Sequence, residues 1–136
     1  MINIVISKYY KSIANTLEES IKEALQKNNL NYRITEVPGV WEIPYEINRL
    51  SALSGDRTEF IAVGIVVKGE TDHYEYLSSS VVNGLIDITI HKNVYIANCI
   101  LNLTDIKQAD TRAKTKGVEA VNSLIKIQTN KKKFPN

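Results

Sequence analysis

The chain has one cysteine, Cys99, so no disulfide can close within it and no cysteine-rich metal site can be assembled. A reducing compartment therefore suits it. An excess of one charge is also missing. With 17 basic and 15 acidic side chains the net charge is +2, which gives no electrostatic case for a nucleic-acid or membrane partner. No apolar run approaches the roughly 20 residues of a membrane span. The start, Met1 to Ile6, lacks a basic region and a small-residue cleavage site, and reads as a first strand instead of a signal peptide. GxGxxG, GxxxxGKS/T, HExxH, CxxC and GxSxG patterns are all absent, so nucleotide cofactors, metals and nucleophile triads find no support. These absences leave a cytoplasmic protein of one domain, whose 136 residues suffice to bury a core without staples.

What is present is an alternation of two periodicities. Ile2 to Ile6 and Phe60 to Val67 are apolar runs of the kind buried on both faces in parallel sheets, Asn31 to Val37, rich in Tyr, Ile, Thr and Val, reads as another strand, and Val94 to Ile100 as the last. Between them lie helical patterns. Ile13, Leu17, Ile21 and Leu25 mark the first, Ile43 to Leu53 the second, and Asp72 to Lys92 the third, with Tyr76, Val81, Leu85, Ile86 and Ile90 as its apolar face. After the last strand, Thr104 or Asp105 opens a short helix towards Lys114, and Gly117 to Gln128 forms a final one with Val118, Val121, Leu124 and Ile125 inward. The tail from Asn130 to Asn136 is expected to fray. Alternating strands and helices predict an α/β fold with a parallel sheet covered on both faces.

Ligands in such sheets sit beyond the carboxyl ends of the strands. At one of these ends, Lys68-Gly69-Glu70-Thr71-Asp72-His73 joins the strongest strand to a helix. Gly69 permits close backbone approach, free N–H groups at a helix start attract anions, and His73 can exchange a proton near neutral pH. The same residues also make a plain capped turn with an exposed histidine. At another end, Val37-Pro38-Gly39-Val40-Trp41-Glu42-Ile43-Pro44 holds the only tryptophan. Trp41 reads either as a wall for a flat heterocycle or as a core plug, and Glu42 either as a hydrogen-bond acceptor or as part of a helix start. Tyr9-Tyr10 follows the first strand, where stacking and packing are both open. Arg112 alone reads as a surface arginine, and Lys116 with Glu119 as a solvent-facing pair.

Four segments in order, Ser7 to Tyr10, Val37 to Pro44, Gly64 to Tyr76 and Gln108 to Ala120, resemble the lumazine synthase family of riboflavin biosynthesis over essentially the whole chain. The resemblance implies a three-layer, flavodoxin-like α/β fold and a transferase without metal or organic cofactor. Its implied reaction condenses 5-amino-6-(D-ribitylamino)uracil with 3,4-dihydroxy-2-butanone 4-phosphate to give 6,7-dimethyl-8-ribityllumazine. It also implies a homo-oligomer, a pentamer, with active sites between subunits. By the same resemblance Tyr9 stacks on the pyrimidine, Trp41, Glu42 and Ile43 hold the ribityl chain, and backbone at Ile65 and Val67 meets the pyrimidine edge. Gly69, Glu70, Thr71 and Arg112 bind phosphate, His73 transfers protons, and Lys116 and Glu119 lie near the site.

Three departures from the family pattern stand out. Tyr10 replaces the common asparagine, and Asn98, at a position the resemblance assigns to substrate binding, replaces a phenylalanine that reaches into the neighbour's pocket. The stretch between Arg112 and Lys116 is shorter than the usual glycine-containing link. That last difference implies a free pentamer or a pair of pentamers in place of an icosahedral shell. The rival function is a flavin- or lumazine-binding protein of the same fold that does not turn over.

Overall fold

The structure, a computed structural model, describes residues 1–53, 58–69 and 73–135. Four strands, β1 (Ile2–Ser7), β2 (Tyr32–Val37), β3 (Glu59–Val67) and β4 (Tyr95–Leu103), form one parallel sheet in the order β2-β1-β3-β4. Every residue of β1 is buried, and so is β3 from Phe60 onward, which is why these strands lack the polar alternation of a half-solvated sheet.

Side chains alternate across the pleat and divide the core into two layers. On one face Ile4, Ile6, Ile61 and Leu101 pack beneath α1 (Lys11–Lys27) and α4 (Ala109–Lys133). On the other, Val5, Phe60, Ala62 and Ile100 pack beneath α2 (Ile43–Ser51) and α3 (Tyr74–Lys92). This is the covered parallel sheet expected from the alternating pattern, in the three-layer, flavodoxin-like form that the family resemblance implies.

The helices correct four expectations. The two final helices are one: after a single 3-10 turn at Ile106–Gln108, capped by the Asp105 carboxylate on Lys107 N–H (2.9 Å), α4 runs without a break. Residues 112–116 contain neither glycine nor proline, and Gly117 does not end the helix. It allows α1 to approach, since a Cβ there would sit 2.8 Å from Ser20 Cβ, while Ser20 Oγ donates to the Lys114 carbonyl at 2.8 Å. The expected fraying from Asn130 is not seen before Lys133. Gln128 and Lys131 both reach Glu59 at the foot of β3 (3.0 and 3.7 Å) and tie that end down.

The apolar face of α3 is also narrower than its sequence suggested. Val81, Leu85 and Ile88 are buried, whereas Tyr76, Ile86 and Ile90 are exposed, because the helix is apolar on more than one side and the sheet can cover only one. Val118 of α4 likewise faces outward.

Candidate active site

Strand lengths create the central feature of the site. The pairing of β1 with β3 runs from Asn3↔Phe60 to Ile6↔Val63, and β1 ends at Ser7. β3 continues to Val67, paired with β4 along its whole length from Glu59. In a parallel ladder successive residues point their backbone groups to alternate sides. Thr58 C=O accepts from Tyr95 N–H, and Lys68 N–H donates to Leu103 C=O, so even-numbered residues of β3 face β4. The N–H and C=O groups of Ile65 and Val67 therefore face the other way, past the end of β1.

Above this overhang is a cleft of about 280 Å³ lined by Ser7, Tyr9, Tyr10, Gly39, Val40, Trp41, Ile65, Val66, Val67 and Leu77. Tyr9 is 77% exposed and Trp41 65% exposed, so Trp41 is no core plug. Tyr9 meets Tyr10 edge to face, with centroids 5.1 Å apart. Tyr10 in turn packs against the α1/α4 core. The turn after β2 presents Trp41 from a single 3-10 turn, Val40–Glu42, whose other side buries Val40. A second hollow of about 380 Å³ adjoins the cleft and is lined by Trp41, His73, Tyr76 and Leu77. Trp41 and Leu77 thus form the partition between the cleft and the histidine.

His73 occupies the N-cap position of α3; its carbonyl accepts from Leu77 N–H at 2.8 Å, and its ring lies 6.4 Å from that of Tyr76. Gly69 adopts φ +88°, a left-handed conformation costly for any other residue, and nothing lies within 4 Å of where a Cβ would project. Glu70, Thr71 and Asp72 lie outside the described residues. Glu42 turns its carboxylate back over Gly39, with Oε1 3.2 Å from the place of a Cβ there. Ile43 is fully buried in the α2/α3 layer, so only its backbone could serve a ligand.

The remaining candidates lie elsewhere. Asn98 is exposed on β4, an edge strand, where its Oδ1 accepts from Ile100 N–H at 2.9 Å. Arg112 Nη1 donates to the Asn102 carbonyl at 3.1 Å, near the carboxyl end of the same strand, and Ser78 Oγ donates to Asn102 Oδ1 at 2.9 Å. Lys116 and Glu119 of α4 are close enough to Cys99 to act on its thiol electrostatically, which puts them on the α1/α4 side of the sheet. No ion pair joins these two among the described residues.

Four candidates, Tyr9, Trp41, Ile65 and Val67, thus share one cleft, with His73 across its wall. Asn98, Arg112, Lys116 and Glu119 are spread along β4 and α4. Sequence reasoning missed Leu77, although its position one turn beyond His73 would have placed both on one helix face. It also missed the Asn102 anchor of Arg112, for which the sequence carries no signal. A larger open groove of about 610 Å³ runs between α1 and α4, but it lies off the strand ends and contains no aromatic side chain.

Comparison with known proteins gives a consistent result. A family model described as 6,7-dimethyl-8-ribityllumazine synthase matches residues 1–132. A Bartonella henselae protein of that name is 36% identical, the match covering 96% of this chain and 88% of the relative. Its namesake from Bartonella bacilliformis is 34% identical over 96% and 90% of the two chains, and the one from Agrobacterium fabrum 33% identical over 96% and 94%. With matches spanning nearly the full length of both partners, the chain belongs to the 6,7-dimethyl-8-ribityllumazine synthase family, transferases of riboflavin biosynthesis.

Proposed function

We propose that the cleft above the β3 overhang takes 5-amino-6-(D-ribitylamino)uracil and that the chain condenses it with 3,4-dihydroxy-2-butanone 4-phosphate. The observation that carries this reading is the pairing of an outward-facing amide edge, at Ile65 and Val67, with exposed aromatic rings at Tyr9 and Trp41. A pyrimidine offers a flat face for stacking and an edge of alternating donors and acceptors, and those are the two things this cleft supplies. Glu42 and Ile43 follow Trp41 directly in the chain, and their backbone, with the Glu42 carboxylate, suits the hydroxyls of a ribityl chain that extends beyond the cleft.

The amine of the pyrimidine adds to the ketone, and loss of water gives an imine. Elimination then breaks the C–O bond to phosphate and leaves an enol at the neighbouring hydroxyl carbon; the enol tautomerises to a ketone, and ring closure of the ribitylamino nitrogen on that ketone expels a second water. Each step moves protons between carbon, nitrogen and oxygen, and we assign their transfer to His73, whose hollow adjoins the cleft and shares Trp41 and Leu77 with it. The reactants are intrinsically reactive, so orientation is the larger contribution of the protein. The left-handed conformation of Gly69 exposes backbone for the phosphate, Glu70 and Thr71 are the next residues in sequence, and Arg112 is the charged partner we assign.

Asn98, Arg112, Lys116 and Glu119 do not line the cleft of their own chain, which supports a site completed by a neighbouring subunit of a pentamer. The unbroken α4 supports a free pentamer or a pair of pentamers over a closed shell. No helix among the described residues is long and apolar enough to cross a membrane, and a cytoplasmic location fits the single buried cysteine.

The test is to incubate both substrates with the protein and follow the absorbance and fluorescence of the lumazine product. Tight pyrimidine binding without product would install the non-catalytic reading, which the names of the relatives do not favour.

A further inference from the structure

Helix α1 carries a charge where its apolar stripe calls for a hydrophobic residue. Ile13, Ala14, Leu17, Ile21 and Leu25 form the buried face, and Glu18 is buried among them. A carboxylate at such a position costs stability unless it is paired. Glu18 is paired twice: Lys8 Nζ lies 3.1 Å from Oε1 and Lys22 Nζ 3.2 Å from Oε2, with only 11% of the Glu18 side chain exposed. Lys22 is an ordinary neighbour one turn along the same helix. Lys8 belongs to the connection that leaves β1 and is covalently next to Tyr9.

That connection lacks the usual means of fixing a strand-to-helix turn. Tyr10 stands at the N-cap of α1 and its side chain makes no capping hydrogen bond, nor is there an acidic residue in the first turn. Tyr9 itself has open space on two sides, the 280 Å³ cleft and a hollow of about 340 Å³ that it shares with Lys8, Glu36, Val37 and Pro38. Beyond its edge-to-face contact with Tyr10, a ring so placed depends on its backbone for its position.

We infer that Glu18, acting through Lys8, is a positioning residue that fixes the Tyr9 ring against the pyrimidine. The inference rests on the pyrimidine reading of the cleft. The Lys8–Glu18 bridge anchors the residue before Tyr9 to the second turn of α1. The Tyr10 ring packs the residue after it, so the backbone of Tyr9 is held at both sides. An apolar residue at position 18 would complete the stripe but leave the Lys8 side of this support unfilled.

The experiment compares Glu18→Gln, Lys8→Met and Lys22→Met with the unaltered protein, using folded samples checked by circular dichroism. Fluorescence of the single tryptophan, Trp41, reads binding of the ribitylaminouracil alone, without turnover. Steady-state kinetics then give KM for each substrate separately. Glu18→Gln and Lys8→Met should each weaken pyrimidine binding and raise its KM roughly three- to tenfold, with KM for the butanone phosphate within about twofold. The double variant should be no worse than either single one, and Lys22→Met should match the unaltered protein. A ligand-free readout accompanies these: limited trypsin cleavage after Lys8 should be several-fold faster in Glu18→Gln and unchanged in Lys22→Met.

Equal weakening of both substrates, or unchanged pyrimidine affinity together with unchanged cleavage, would overturn the inference. If the unaltered protein binds no ribitylaminouracil, the functional reading itself fails, and the role assigned to Tyr9 fails with it. The cleavage rates would then still show whether Glu18 clamps the turn.

Discussion

Replacing Gly64 by alanine adds one methyl group at the point where the site is most tightly packed. Gly64 lies within β3 opposite Ile100. A Cβ there would overlap Val40 Cγ1, well inside van der Waals contact distance, and would lie 3.3 Å from Ile43 Cδ1 and 3.5 Å from Ile100 Cδ1. Val40 and Ile43 are buried, so neither can swing out to solvent. Two effects oppose each other. Loss of glycine's freedom in the unfolded chain favours alanine by about 0.5–1 kcal/mol. Overpacking a filled core costs about 1–3 kcal/mol. The overlap with buried Val40 puts the overpacking cost at the upper end, about 2–3 kcal/mol, so overpacking wins with a net destabilisation of about 1–2.5 kcal/mol, or roughly 3–9 °C in Tm for a domain of this size.

Because Val40 precedes Trp41 and lines the cleft, the displacement should also raise KM for the pyrimidine. Thermal and urea unfolding at fixed protein concentration would measure the stability, and a cycle with Val40→Ala isolates the cause. The double variant should be more stable than the sum of the single effects by about 1 kcal/mol. A Gly64→Ala protein as stable as the original, or strict additivity in the cycle, would refute the packing argument.

The other expectations concern individual groups. His73→Ala should lower kcat by about 10²–10⁴-fold yet leave measurable product formation; complete loss with phosphate binding intact would sink the view that positioning dominates. Arg112→Ala should chiefly raise KM for the butanone phosphate, and unchanged kinetics would remove Arg112 from the site. Burial pushes the Cys99 thiol up to about 12, so a thiol-specific disulfide reagent at pH 8 should label it only after denaturation; rapid labelling of the native protein would mean that α4 opens from β4.

Burial drives the Glu18 carboxyl upward, but hydrogen bonds and charges from Lys8 and Lys22 outweigh it and hold the pKa below its ordinary 4.5. Its stabilising contribution is therefore complete above that value and lost as pH falls through the lower folded value. The Tm difference between the original protein and Glu18→Gln should accordingly shrink on acidification below about pH 4.5. A gap that stays constant to pH 3 would contradict the pairing.

Local pattern was enough for much of this molecule. Four runs of β-branched and apolar residues separated by helical periodicities have few compact solutions other than a covered parallel sheet, and Pro38-Gly39 and Gly69 marked the strand ends where ligands bind. The same pattern mistook the helices where apolar residues exceed what one face can bury. Tyr76, Ile86 and Ile90 look like core in sequence but lie outside, because the choice of face is made by the sheet and not by the helix. Gly117 looked like a helix boundary and is a contact with Ser20, since a glycine that ends a helix and one that admits a neighbour are identical in one dimension.

Sequence by itself determined the strand–helix alternation, the residue types at the strand ends and the family. Only the tertiary structure decided that β3 outruns β1, leaving the amide edge of Ile65 and Val67 open beneath Tyr9 and Trp41. It alone separated Arg112, Lys116 and Glu119 from that cleft and brought Glu18 to Lys8. Strand overhang, side-chain partition and ion pairing between elements depend on register and packing across the sheet, and these arise from contacts between residues far apart in the chain.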